Sequence, residues 1–100
     1  MDYSEIYGVC SGLEELFSPH KIFVYGEKFG FDGKARSFDI CLVTDTEDKL
    51  ALVKEAYEKV DCDCEYDLHV YTVEEFTRLL KDEGSYAARI VRIGHEYGKR

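Results

Sequence analysis

Proline is almost missing from this 100-residue chain, with Pro19 its single instance, and so no proline-rich linker divides it. No apolar run approaches the roughly 20 residues that a bilayer-spanning helix needs. The opening Met1-Asp2-Tyr3-Ser4-Glu5 has neither the basic stretch nor the apolar core of a secretory leader, and the expected location is the cytoplasm, with no membrane partner. Positive charge is also short: 13 Lys and Arg against 21 Asp and Glu leave a net charge of −8. That excludes broad, sequence-independent nucleic-acid binding, which requires a basic surface to neutralise phosphates. Internal repeats and low-complexity tracts are absent. The four cysteines, Cys10, Cys41, Cys62 and Cys64, are expected to be reduced thiols in a cytosolic protein. Cys62-x-Cys64 lacks zinc-finger spacing and a second ligand pair, and so inert thiols are the expectation there.

What is present is a globular balance, 45% hydrophobic and 34% charged, in a chain long enough to bury about two-thirds of its surface around one core. A single domain over 1–100 is expected. Ile6, Val9, Cys10, Leu13, Leu16 and Phe17 recur at helical spacing, with Asp2 and Glu5 as a capping pair and an end at Ser18-Pro19. Lys21 to Tyr25 reads as a short strand running into Gly26, and Glu27 to Arg36, with Gly30 and Gly33, as a loop or irregular helix. Phe38 to Thr44 reads as a buried strand that puts Ser37, Asp39 and Cys41 together on one face. A helix with Leu50, Val53, Tyr57 and Val60 on its apolar side is predicted between Asp45 and Val60.

Cys64 to Tyr71 alternates, with Tyr66, Leu68 and Val70 on one side of a half-buried strand and Glu65, Asp67 and His69 on the other. Thr72-Val73-Glu74-Glu75 has the form of a capping box that opens a helix to about Glu83. Gly84-Ser85 breaks it, and Tyr86, Ile90, Val91 and Ile93 suggest a last helix stopping at Gly94. The alternation of strands and helices predicts an α/β (α+β) fold, a small mixed sheet flanked by helices with Phe38–Thr44 central.

A strand ending in Gly, a loop of about a dozen residues and a strand bearing carboxylates occur here as Val24-Tyr25-Gly26-Glu27 followed by Ser37-Phe38-Asp39-Ile40-Cys41-Leu42-Val43. A later strand adds Tyr66-Asp67-Leu68-His69-Val70, and Glu75-Phe76, Gly84-Ser85, Gly94 and Tyr97 follow in order. Together these resemble the minimal nucleotidyltransferases of the DNA polymerase beta superfamily over nearly the whole chain after Pro19. The resemblance implies Asp39 and Asp67 as metal ligands and catalytic acids for Mg²⁺, and a phosphate approach at Gly26, Glu27 and Lys28, with Lys34 and Arg36 as further phosphate partners or as solvated loop residues.

Two-metal transfer needs several carboxylates, because the ions must bridge the triphosphate and activate the incoming hydroxyl. This chain departs from the pattern twice. Glu27 follows Gly26 where a small residue is usual, which predicts repulsion of phosphate. The paired acid is reduced to one: either Cys41 replaces the second carboxylate or Ser37 replaces the first, and the following Ile40-Cys41-Leu42-Val43 fits the Ser37 register better. Neither side chain readily replaces a hard anionic ligand. Three functions are weighed. The first is a catalytically impaired protein with weak or absent Mg²⁺ and NTP binding that acts through a protein partner, of the toxin–antitoxin type by family analogy. The second is an active nucleotidyltransferase using Asp39 and Asp67 to move a nucleotide to a protein or small molecule. The third is a structural or oligomerising domain, such as a homodimer, that binds no nucleotide.

Overall fold

The stripe Ile6, Val9, Cys10 and Leu13 is the buried face of helix α1, Ser4–Phe17. The helix ends where Ser18 turns left-handed (φ 46°) and its N–H closes the last turn on the Glu14 carbonyl, one residue before Pro19. The computed structural model describes residues 1–98, and the last two positions of the expected 1–100 domain lie outside them. At the start of α1 the expected Asp2–Glu5 capping pair does not form. Asp2 Oδ1 accepts from the Ser4 N–H in a local turn at 2.9 Å, while Glu5 Oε2 accepts from the distant Asp63 N–H at 3.3 Å.

Strands β1 (Lys21–Phe29) and β2 (Ala35–Val43) form a long antiparallel hairpin. The stretch expected as a loop from Glu27 to Arg36 is therefore half strand, and a turn at 30–34 joins the two, closed by Gly30 N–H to Lys34 O (2.9 Å) and Gly33 N–H to Gly30 O (3.0 Å). Gly26 is a bulge inside the strand and not its end. Tyr25 pairs with Asp39 and Lys28 with Ser37, so Gly26 and Glu27 together oppose Phe38. Gly26 supplies the positive φ (63°) that this kind of bulge requires.

After β2, Asp48 caps helix α2 (Lys49–Lys59) by accepting from the Ala51 N–H, so the helix lies within the expected range of Asp45 to Val60 and starts four residues after its lower bound. Its buried positions are Leu52 and Ala56, followed by Val60, while Leu50 is 83% exposed. The crossover through α2 brings β3 (Glu65–Tyr71) parallel to β2, as two parallel neighbours require. The capping box at Thr72 and Glu75 forms as expected and opens α3, Val73–Leu79. That helix stops short of Glu83, because Asp82 turns the chain by accepting from the Gly84 N–H at 2.9 Å. Ser85 then caps α4 (Tyr86–Ile93), which ends at Gly94. A two-residue strand, β4 (His95–Glu96), pairs with Phe23 and Val24.

The sheet order is β3-β2-β1-β4, a mixed sheet flanked by helices with β2 in its interior, as the sequence predicts. Alternation divides its side chains into two cores. Ile22, Val24, Phe38, Ile40, Leu42 and Val70 pack with α1 and α2. Phe23, Tyr25, Cys41 and Val43 pack with Phe76 of α3 and with Ala87 and Ile90 of α4. The second pair of helices is short and leaves one end of its face uncovered. No described helix is long and apolar enough to cross a membrane.

Candidate functional site

The uncovered end carries the acids. In the parallel pairing of β2 with β3, Asp39 stands directly beside Asp67, as Ser37 does beside Glu65 and Cys41 beside His69. Side chains at one register point to the same face, so the expectation that Asp39 and Asp67 share a face holds. Their carboxyl groups are within hydrogen-bonding reach when one is protonated. The cleft they line has a volume of about 200 Å³ and is completed by Gly26, Lys28, Ser37 and Glu65.

The electrostatics follow from this crowding. Partial burial raises the Asp39 carboxyl above its ordinary value and the Asp67 charge raises it further, while Lys28 and His69 act in the opposite direction. Gly26 makes the close approach possible, because a Cβ there would overlap Asp39 Oδ2. Beyond Asp67 on the same face of β3, His69 packs among aromatic rings of the helix side. His69 lies 5.2 Å from Tyr86 and 5.4 Å from Tyr71, and the Tyr86 hydroxyl donates to that of Tyr25 at 3.3 Å.

The other residues singled out in the sequence are dispersed. Cys41 shares the Asp39 face but is fully buried under α3 and α4, and burial pushes its thiol up to about 12, a setting for packing and not for a nucleophile or ligand. Ser37 is at the open end beside Asp39. Of the two registers for the missing acid, only the Ser37 position opens on the cleft.

Glu27, placed at the phosphate approach by the sequence, is turned to the opposite face. Its carboxylate accepts from the Tyr3 hydroxyl at 2.6 Å and lies 3.8 Å from His95 Nδ1. The bulge at Gly26 is the physical reason, since one extra residue inverts the facing of the strand residues beyond it. Lys28 consequently faces the cleft. Lys34 and Arg36 do not: both line a separate groove with Asp2, Glu5 and Cys64, and the Arg36 guanidinium packs over Gly30.

An oxygen-seeking divalent ion fits the Asp39–Asp67 pair by donor chemistry, with water or a ligand's phosphates filling its remaining positions. Among the described residues no third carboxylate, His or Cys donor joins this pair closely enough to make a three-ligand cluster. Sequence reasoning put His69 on the Asp67 face of its strand but gave it no role, and only the parallel register shows it beside Cys41, one step along from the acid pair. The Tyr3–Glu27–His95 contact had no signal in the sequence, because it joins three distant segments. Comparison with known proteins adds no relative: no family model, curated protein or solved structure matches the chain.

Proposed function

We propose that this chain is a nucleotidyltransferase-like protein with an incomplete carboxylate set, binding Mg²⁺ and nucleotide weakly and acting mainly through a protein partner. The observation that carries this reading is the in-register pair Asp39–Asp67 on adjacent parallel strands beside the Gly26 bulge. Two carboxylates can hold one Mg²⁺ while a ligand's phosphates complete its coordination. They do not supply the several anionic oxygens that hold two ions in line with attacking and leaving groups. That Ser37 lines the cleft with Asp39 while Cys41 is buried supports the register in which Ser37 stands for the missing acid. Exposed apolar side chains of α4, Tyr86, Val91 and Ile93, support a partner surface, and the free cysteines suit a cytosolic setting.

An active nucleotidyltransferase is the second reading, and one observation favours it. With Glu27 turned away, the repulsion predicted at the phosphate approach disappears, and Lys28 remains on the cleft side. Incubation with labelled NTPs, Mn²⁺ or Mg²⁺ and a cell extract separates the readings. The impaired protein transfers no label, and Ser37→Asp introduces metal-dependent transfer. Transfer by the parent at about one per second or faster, abolished by Asp39→Ala, establishes the enzyme and ends the first reading.

A further inference from the structure

A second group of metal-ligating side chains lies outside the Asp39 cleft, where the first turn of α1 meets the connection from α2 to β3. Donor atoms of Glu5, Cys62 and Cys64 all lie within 4.8 Å of one another. The two sulfurs are 3.4 Å apart. A tetrahedral zinc ion with bonds of about 2.3 Å holds two sulfurs roughly 3.8 Å apart, so a small opening of the pair suffices. Glu5 is already held toward the connection, because its Oε2 accepts from the Asp63 N–H at 3.3 Å. All three residues are half-buried.

We propose that Glu5, Cys62 and Cys64 form a site for a thiophilic divalent cation of the zinc type, with water in the fourth position. The donor set decides the class of ion. Two thiolates select against Mg²⁺ and Ca²⁺ and favour zinc, while the carboxylate suits a borderline ion. The charge of the segment agrees: Asp61-Cys62-Asp63-Cys64-Glu65 carries three acids in five residues, which draws cations toward it. On binding, two sulfur–metal bonds and one bond from a Glu5 carboxylate oxygen form, the two thiol protons pass to solvent and all but one of the ion's coordinated waters leave, with no change of oxidation state. The Cys62 Sγ–H donation to the Cys64 carbonyl, 2.9 Å, is given up. The ion would tie the start of α1 to the segment leading into β3, the strand that bears Asp67, and so act as a clamp separate from the oxygen-lined cleft.

Spacing alone did not suggest this site, because Cys62-x-Cys64 lacks a second pair in sequence. The fold supplies the third ligand from the first turn of α1. Titration of the reduced protein with Co²⁺, followed by displacement with Zn²⁺, tests it. One Co²⁺ per chain is expected, with thiolate-to-cobalt charge-transfer absorption and tetrahedral ligand-field bands that Zn²⁺ removes. Cys62→Ser or Cys64→Ser should weaken binding by about a hundredfold or more, because each removes a thiolate, and Glu5→Gln by about tenfold, because it removes the carboxylate's charge but leaves a neutral oxygen in its place. Asp39→Asn should leave the spectrum unchanged, which separates this site from the proposed nucleotide cleft. Zinc-dependent protection of Cys62 and Cys64 from alkylation, read by mass spectrometry on the unmodified sequence, gives the same answer without any substitution. Absence of charge transfer, its persistence in the Cys62→Ser/Cys64→Ser double variant, an unchanged affinity in Glu5→Gln, or alkylation indifferent to zinc would each overturn the proposal.

Discussion

Glu27 and Asp39 lie on neighbouring strands beside the same bulge, yet they face opposite sides of the sheet and meet opposite surroundings. Glu27 accepts a short hydrogen bond from Tyr3 and has His95 nearby, so its charge is satisfied by the fold and ties α1, β1 and β4 together. Asp39 has a second carboxylate beside it and burial working against its charge. A carboxylate with donors around it is part of the framework. One held against another carboxylate is costly for the fold and becomes useful when a proton or a cation sits between them. The contrast sets a satisfied carboxylate on the α1 side against an unsatisfied pair on the side only partly covered by α3 and α4, where the proposed cation site lies.

The largest expected effect removes the bulge that creates the contrast. Gly26→Ala places a Cβ against Asp39 Oδ2 at a positive φ and should lower stability by about 2 kcal/mol or more, measured by urea denaturation, with loss of divalent-ion binding at the cleft. An unchanged denaturation midpoint would mean that the strand can be read without the bulge. Tyr3→Phe comes next. It removes the donor to Glu27 and should cost about 1–2 kcal/mol while leaving nucleotide affinity as it was. Glu27→Ser should likewise fail to strengthen nucleotide binding, and calorimetry showing a marked gain would return Glu27 to the phosphate approach.

Acid titration sharpens the same contrast on a smaller scale. Glu75, hydrogen-bonded to Lys49 and capping α3, is lowered from 4.5 to about 2. Its contribution is present above pH 4.5 and is lost as the pH falls toward 2, and Glu75→Ala should cost about 1 kcal/mol at neutral pH. Asp39 has the opposite sign. Its folded value is raised above 3.8, so the folded state binds the proton more tightly and stability falls as pH rises through that window. Asp39→Asn should therefore give a small gain in thermal stability at pH 7 that closes as the pH drops below 3.8. A loss at pH 7 would show that the ionised Asp39 is a satisfied structural group.

Much of the fold was legible from local chemistry. The α1 stripe, the alternation of β3, the capping box at Thr72 and Glu75 and the stop at Gly94 are short-range signals that the structure reproduces, although α3 ends at Leu79 and not at Glu83. The hairpin escapes a local reading because Gly26, Gly30 and Gly33 look like punctuation, whereas Gly26 is a bulge within a continuing strand. β4 is two residues long and is defined only by its pairing with Phe23 and Val24, a long-range contact without a local pattern. Of the α2 stripe, Val53 and Val60 pack on the core as their spacing indicates, while Leu50 and Tyr57 are exposed and Leu52 and Ala56 take the buried positions. At the site, alternation put Asp39 and Asp67 on common faces of their strands, but only the parallel register sets them side by side. The resemblance put Glu27 at the phosphate approach without allowing for the bulge, and the stretch read as a loop left Lys34 and Arg36 open as phosphate partners, although they line another groove.

The pair itself is most directly tested with manganese, an oxygen-seeking ion whose unbound fraction can be read by electron paramagnetic resonance. In the Cys62→Ser/Cys64→Ser background, which removes the thiol ligands, the protein should bind one Mn²⁺ weakly, with a dissociation constant of about millimolar for two carboxylates and water. Asp39→Asn and Asp67→Asn should each abolish that binding. Mn²⁺ binding that survives both substitutions, or no binding at all at several millimolar ion, would contradict the assignment of the Asp39–Asp67 cleft as a cation site.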